Sequence, residues 1–240
     1  MKIACLTFTR QGQQIAARIQ AGFPENADVF TTNTYKPHLP RIFKEYSGIV
    51  FIASTGIAVR LSLPFLRDKT ADPAIVVVDD LGRYAISLVS GHLGGANALA
   101  QRIAEILDCQ PIITTASDGR GIEAVDLFAQ KHDLVIENLH DVKTITAMMV
   151  EGQPITLISE IATSINYPHL VEENSAGRIY VTSQAQIACD IPYCVLRPKN
   201  LHLGIGCRKG KTKDEILNAI EKVFEQHNLS PVSYTHLRAH

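Results

Sequence analysis

Gly48-Ile49-Val50-Phe51-Ile52-Ala53-Ser54-Thr55-Gly56-Ile57-Ala58-Val59-Arg60-Leu61-Ser62-Leu63 holds two periods in succession. Its first six residues form an apolar run of strand length. The small polar Ser54-Thr55-Gly56 then opens a stretch with helical spacing. The same alternation recurs in Ile3 to Phe8 followed by Gln11 to Gln20, and in Pro111 to Thr115 followed by Ile122 to Lys131. Strands alternating with helices predict an α/β fold, an open, mostly parallel sheet flanked by helices. Ala74 to Val78 and Tyr84 to Val89 are separated only by Asp79-Asp80-Leu81-Gly82-Arg83, a short Asp/Gly turn that predicts a hairpin and one antiparallel strand.

After His132 the segments shorten and polar insertions grow, so residues 1–132 read as an N-terminal domain with a glycine-rich cleft and residues 133–199 as a second, smaller α/β domain. Pro198-Lys199-Asn200 reads as a linker. Residues 200–230 then supply the first strand and helix of an incomplete third domain: a strand from Leu201 to Gly206, and a helix from Thr212 to about His227 with Ile216, Ile220, Val223 and Phe224 on one face. Residues 231–240 break every pattern before them and read as a non-native tail, outside the fold argument.

Composition narrows the function. Of 240 residues, 46% are hydrophobic and 20% charged, which excludes disorder for the bulk of the chain. Lys+Arg 23 against Asp+Glu 24 leaves no overall positive field, so nucleic acid is not an expected partner and any anion must be held locally. The longest apolar runs fall far short of the roughly 20 residues of a membrane span, and no signal peptide is visible, so no membrane association is expected. Five cysteines, odd in number and without framework spacing, suit reduced thiols and a cytoplasmic location.

Three polar, glycine-bearing turns follow strands: Ser54 to Gly56, Ser90 to Asn97, and Thr114 to Gly121. If their strands run parallel, the turns converge at one sheet edge, where helix N-termini favour an anion or a developing oxyanion. In Ser90-Gly91-His92-Leu93-Gly94-Gly95-Ala96-Asn97 the glycines allow close backbone approach, and Ser90 and His92 add a hydroxyl and an imidazole. A bland reading competes at each position: Ser90 and His92 as satisfiers of backbone groups, Asp118 and Thr55 as helix caps, Asp79 and Asp80 as turn formers. The flanks of Ser90 do not form a nucleophile elbow, which argues against a covalent serine. Gly204 to Thr212 fits neither a P-loop nor a dinucleotide fingerprint in any register, which disfavours a nucleotide-dependent enzyme. Cys189, Cys194, Cys207 and His202 lack metal-site spacing, and the cysteines read as lone buried thiols, so no metal site is expected.

Ile49 to Arg60, Ser90 to Asn97 and Leu203-Gly204-Ile205-Gly206-Cys207-Arg208-Lys209-Gly210 resemble the CbiG family, the cobalt-precorrin-5A hydrolases of oxygen-independent cobalamin synthesis. The resemblance runs from residue 1 to about 229 and implies a truncated C-terminal domain. It implies hydrolytic opening of a δ-lactone on a cobalt tetrapyrrole, with loss of acetaldehyde and ring contraction. No cofactor is implied, since cobalt comes with the substrate, and transient contact with other cobalamin-pathway enzymes is expected. On that reading His92 is the general base, and Ser90, Asn97 and Thr55 orient lactone or water. The amides of Gly94, Gly95 and Ala96 stabilise the oxyanion, while Gly56, Arg60, Gly91, Asp118 and Arg120 line the substrate. The alternative is a corrinoid-binding module without catalysis, or an inactive truncated homologue.

Overall fold

The structure is a computed structural model describing residues 1–32, 34–68 and 71–239. It divides into two compact units, the first Met1–Gly119 and the second from Arg120 onward. The first unit is a six-stranded sheet in the order β2-β1-β3-β4-β5-β6, built from β1 (Ile3–Thr7), β2 (Ala27–Phe30), β3 (Gly48–Ile52), β4 (Ala74–Val78), β5 (Tyr84–Val89) and β6 (Gln110–Ile112). Strands β1 to β4 run parallel. β5 returns antiparallel to β4, and β6 runs parallel to β5.

All residues of β1, β3 and β4 are buried, because helices cover both faces and each strand contributes alternately to two cores. Ile3, Cys5, Val50, Ile52, Val76 and Val78 pack against Ile15 and Ile19 of helix α1 (Arg10–Gly22). Ala4, Leu6, Ile49, Phe51, Ile75 and Val77 meet Leu39 and Ile42 of α2 (Tyr35–Glu45) and Ala58 of α3 (Thr55–Ser62). The helix α4 (Ala96–Leu107) joins β5 to β6 and buries Leu99, Ala100, Ile103 and Leu107 in the same core as α1.

The hairpin expected at Asp79 to Arg83 is present. The Asp79 carboxylate accepts the Arg83 amide at 2.6 Å and the Tyr84 amide at 2.9 Å, and meets the Arg83 guanidinium at 3.0 Å. Gly82 takes the left-handed conformation, φ +64°, that closes the turn. Partial burial pushes the Asp79 carboxyl upward, but these donors and the Arg83 charge outweigh it and hold it below its ordinary value of 3.8.

In the second unit, β7 (Val135–Ile136), β8 (Ile155–Ser159), β9 (Gly177–Val181) and β10 (Tyr193–Arg197) form a sheet in the order β7-β10-β9-β8, with only β7 antiparallel. Besides the short helix α5 (Ala116–Gly119) of the first unit, the chain has α6 (Val125–Lys131) and α7 (Leu139–Val150), which close the second core with Val125, Phe128, Val142, Ile145 and Met149. The helix read from Ile122 to Lys131 thus begins at Val125, and its apolar face belongs to the second unit, not to a first domain ending at 132. Arg197 is 2% exposed. It donates to the carbonyls of Thr182 at 3.1 Å, Ala185 at 3.3 Å and Gln184, and pairs with Glu137.

Beyond it, β11 (Leu201–Ile205) pairs in parallel with β12 (Tyr234–Ala239), so the stretch set aside as a tail carries a strand; its last residue, His240, lies outside the described residues. The helix α8 (Lys213–Gln226) is capped by Thr212 and Glu215, buries Phe224 and leaves Val223 and Leu217 well exposed. Of the cysteines read as buried thiols, Cys194 is buried and its thiol is pushed up to about 12 by desolvation, Cys189 is half-buried and Cys207 is exposed.

Two stability outcomes follow. Asp79→Asn should cost about 1–2 kcal/mol at pH 7 in denaturant unfolding. A carboxyl lowered in the folded state stabilises above its unfolded value and loses that contribution as pH falls through the folded one, so the gap to wild type should close on acidification from pH 5 to pH 2. Arg197→Ala strips donors from three carbonyls and should cost about 2–4 kcal/mol in the same measurement.

Candidate active site

Because β5 reverses direction, the C-terminal ends of β5 and β6 lie at the sheet edge where β1 to β4 begin. Val89 pairs with Ile75 near the start of β4, whereas Ala85 pairs with Val78 at its end. The turns Ser90–Asn97 and Thr114–Gly119 therefore come together. Ser54-Thr55-Gly56 follows the end of β3, at the opposite edge, roughly 15 Å away along the strands. The expected convergence of three turns is corrected to a convergence of two. Thr55 and Gly56 open α3 on the far edge, and Arg60 lies exposed further along that helix.

Between the two turns lies a connected set of polar side chains. His92 Nε2 stands 3.0 Å from Asp118 Oδ2 and 3.0 Å from Ser117 Oγ. The same Asp118 oxygen accepts Asn97 Nδ2 at 2.9 Å and the Thr115 hydroxyl. Asn97 Nδ2 also reaches Thr115 Oγ1 at 3.0 Å, and Asn97 Oδ1 accepts the Ser87 hydroxyl at 2.6 Å. The Asp118 carboxylate, which can only accept, fixes which end of the Asn97 amide faces it, and the Ser87 hydroxyl on β5 donates to the other end. Asn97 is buried at 7% exposure, while the His92 and Asp118 side chains remain 19% and 33% exposed, within reach of solvent.

The backbone of the first turn is folded upon itself. The amides of Gly95, Ala96 and Asn97 donate to the carbonyls of His92, Ser90 and Gly91 at 2.8, 3.0 and 3.0 Å. Gly95 and Ala96, expected to offer their N–H groups to an oxyanion, thus spend them within the turn. Of the three amides assigned to that task, Gly94 alone makes no such backbone bond among the described residues. The glycines serve packing as well: a Cβ on Gly91 would stand 2.8 Å from Asn97 Oδ1, and one on Gly94 2.3 Å from Ser90 Cβ. Ser90 itself is left-handed at φ 59°, and its hydroxyl is buried without a hydrogen-bond partner among the described residues. Such an outlier in a non-glycine residue costs of order 1–3 kcal/mol and tends to cluster at functional sites.

Two family models match this chain: Cobalamin synthesis G N-terminal over residues 37–118, and Cobalamin biosynthesis central region over residues 123–198. The chain belongs to the CbiG family. All the polar residues of the cluster, Ser87 to Asp118, fall inside the CbiG N-terminal match. The cobalt-precorrin-5A hydrolase of Priestia megaterium is 35% identical over 212 residues, covering 78% of this chain and 56% of that protein. The cobalt-precorrin-5A hydrolase of Salmonella typhimurium is 32% identical over 205 residues, covering 80% and 58%. The chain therefore spans little more than half the length of these two curated relatives. A solved cobalamin biosynthesis protein G homolog from Sulfolobus solfataricus superposes with a TM-score of 0.53 at 25% identity, covering 99% of this chain and 73% of its own.

Among the expected site residues, the structure thus gathers Ser90, Gly91, His92, Gly94, Gly95, Ala96, Asn97 and Asp118 in one place. Arg120 is exposed and opens the second unit. Sequence reasoning missed Ser87, Thr115 and Ser117. Ser87 sits mid-strand, and the only available signal for the other two was their place beside Asp118 in the turn after β6. The loop after Gly206 has no comparable opening at its helix: the Thr212 amide donates to Glu215 at 2.9 Å and the Glu215 amide to Thr212 at 3.2 Å, closing the N-terminus of α8 by its own cap. No helix among the described residues is long and apolar enough to cross a membrane.

Gly94→Ala should destabilise the fold by about 1–3 kcal/mol through overpacking against Ser90. Gly56→Ala, where a Cβ meets nothing within 4 Å, should stay within about 0.5 kcal/mol of wild type. Thermal or urea unfolding of the two variants checks the contrast.

Proposed function

We propose that this chain performs the reaction for which its curated relatives are named, acting as a cobalt-precorrin-5A hydrolase. The observation that carries the reading is the imidazole of His92, held between Asp118 and Ser117 beside a glycine-rich turn at the N-terminus of α4. In this proposal His92 takes a proton from water, whose oxygen attacks the carbonyl carbon of the substrate's δ-lactone. Negative charge developing on the carbonyl oxygen meets the positive end of the α4 dipole and the Gly94 amide, a donor of the kind whose removal costs roughly 3 kcal/mol in other enzymes. Collapse of the intermediate expels the ring alcohol. Release of that oxygen's proton then allows the adjacent carbon–carbon bond to break, freeing acetaldehyde while the macrocycle accepts the electron pair. Cobalt travels with the substrate.

Asn97 does not orient the lactone in this scheme, since both ends of its amide are engaged by Ser87, Thr115 and Asp118. Thr55, Gly56 and Arg60 stand at the other edge of the sheet and have no part in the proton transfer. We place the protein in the cytoplasm, on its odd and sparse cysteines, with other enzymes of the same pathway as transient partners.

The test is anaerobic incubation of the chain with the cobalt-containing lactone, with acetaldehyde and the opened macrocycle as readouts. Wild type should release acetaldehyde stoichiometrically, and His92→Ala should slow release by about 10²–10⁴-fold. Binding of the lactone without any acetaldehyde would identify a carrier and sink the hydrolase reading. Undiminished turnover by His92→Ala would remove the base assignment.

A further inference from the structure

Where α2 ends and β4 begins, aromatic and cationic side chains gather along one groove. Phe43 and Lys44 lie in the last turn of α2, Phe65 closes the 3₁₀ turn Leu63–Phe65, and Arg67 and Asp72 belong to the connection that leads into β4. They line a groove of about 470 Å³, within the size range of small-molecule sites. We propose that this groove seats the rim of a flat ring bearing carboxylate arms, the tetrapyrrole of the reaction above, with Lys44 and Arg67 holding the arms. The identity of the ring rests on the hydrolase reading, whereas the preference for a flat carboxylate-bearing ligand rests on the groove itself.

The aromatic lining is flat: Phe43 and Phe65 stack with ring centroids 4.7 Å apart and planes 18° from parallel. Both are only half-buried against the core of that sheet face, so apolar ring surface remains for a ligand to cover. Pro40, Pro64 and Pro73 also line the groove and fix φ at three points, which lowers the ordering cost of binding. Charge then selects the occupant. Glu45, the carboxylate next to Lys44, already faces Arg41 at 3.8 Å, and Asp72 Oδ1 accepts the Arg67 backbone amide at 2.8 Å. The Lys44 ammonium and the Arg67 guanidinium are exposed and make no ion pair among the described residues. Two cations against the single carboxylate of Asp72 give the groove a local positive excess that the chain as a whole lacks. A carboxylate matches the guanidinium fork with two parallel hydrogen bonds, and Lys44 offers a point charge to a second arm. A neutral apolar ligand would leave both cations without partners, and a free phosphate would not use the aromatic pair. The groove also lies at the edge of the sheet that carries His92. Asp72 and Pro73 lead directly into the start of β4, beside the end of β5, and the Asp72 carbonyl oxygen is 3.3 Å from where a Cβ on Gly94 would stand.

The experiment titrates the full chain with a cobalt porphyrin bearing carboxylate arms on every pyrrole ring and with its fully amidated, neutral counterpart, read by the shift of the visible absorption band. The carboxylate form should bind about tenfold or more tighter than the amide form. Arg67→Gln, which keeps the backbone bond to Asp72, and Lys44→Gln should each weaken it about three- to tenfold, and the double variant should flatten the salt dependence. Asp72→Asn should tighten it about two- to threefold by removing the opposing charge. Arg10→Gln, at the edge where β1 ends, should match wild type. In turnover with the lactone, the Lys44 and Arg67 variants should raise KM with kcat nearly unchanged. Wild-type affinity in the double variant overturns the proposal, as does equal binding of the two porphyrins. Should the double variant fail to fold, unchanged affinity in both single variants overturns it in the same way. If the porphyrin titrations come out as expected but the lactone yields no acetaldehyde, the hydrolase reading falls and the groove stands. Acetaldehyde release at unchanged KM in the double variant removes the groove and leaves the hydrolase reading in place.

Discussion

The return of β5 along β4 sets the position of everything chemical in the first unit. A carboxylate at Asp79 gathers two successive amides and its own neighbour's guanidinium, and Gly82 supplies the left-handed residue, so the chain reverses within five residues. Had it crossed over instead, β5 and β6 would end where β3 and β4 end. The reversal moves the following turns to the far edge, where β4 begins, and leaves Thr55 and Gly56 behind. The edge at which the carboxyl ends of parallel strands meet is, for the β5-α4-β6 pair, the one where β4 begins.

Within that pair the glycine-rich turn does two jobs with one set of atoms. Its amides close on its own carbonyls, which makes the entry to α4 compact, and the compaction presses Gly94 against Ser90 and Gly91 against Asn97. Asn97 is thereby held close enough to β5 to accept the Ser87 hydroxyl and far enough out to reach Asp118. Polar groups at the rim of a core are costly when half satisfied, and here the connections run from Ser87 through Asn97 and Asp118 to His92. The exception is the Ser90 hydroxyl, buried on a left-handed backbone without a partner among the described residues. It marks the place where packing of the turn has overridden local preference.

The second unit shows the opposite use of polar groups. Arg197 is buried deeply, yet its contacts are carbonyls of its own unit and Glu137, and Glu160 is tied to Thr182 and Ser183. These groups hold the chain segment that follows the end of β9. Burial together with contacts to backbone carbonyls and Glu137 indicates a structural role for Arg197, whereas His92 and Asp118 combine partial exposure with directional contacts.

Much of this was legible in the order of residues. Unbroken apolar runs at Ile49 to Ile52 and Ala74 to Val78 fix buried strands, Asp79 and Gly82 fix the reversal between them, and Ser90 to Asn97 carries its imidazole, amide and glycines on one turn. Ala27–Phe30, Tyr35–Glu45 and Tyr193–Arg197 were less legible. The first is a four-residue edge strand, the second a helix carrying Pro40 in its interior, and the third a strand set between its predecessor β9 and the remote β7. What only the folded structure decided is which turns share an edge and which donors are already spent. A period of two or 3.6 reports burial along one segment, but strand direction in a sheet and the destination of each N–H depend on neighbours far along the chain. That is why His92 and Asp118, 26 positions apart, meet within one hydrogen bond, while Thr55, equally polar and equally beside a glycine, does not.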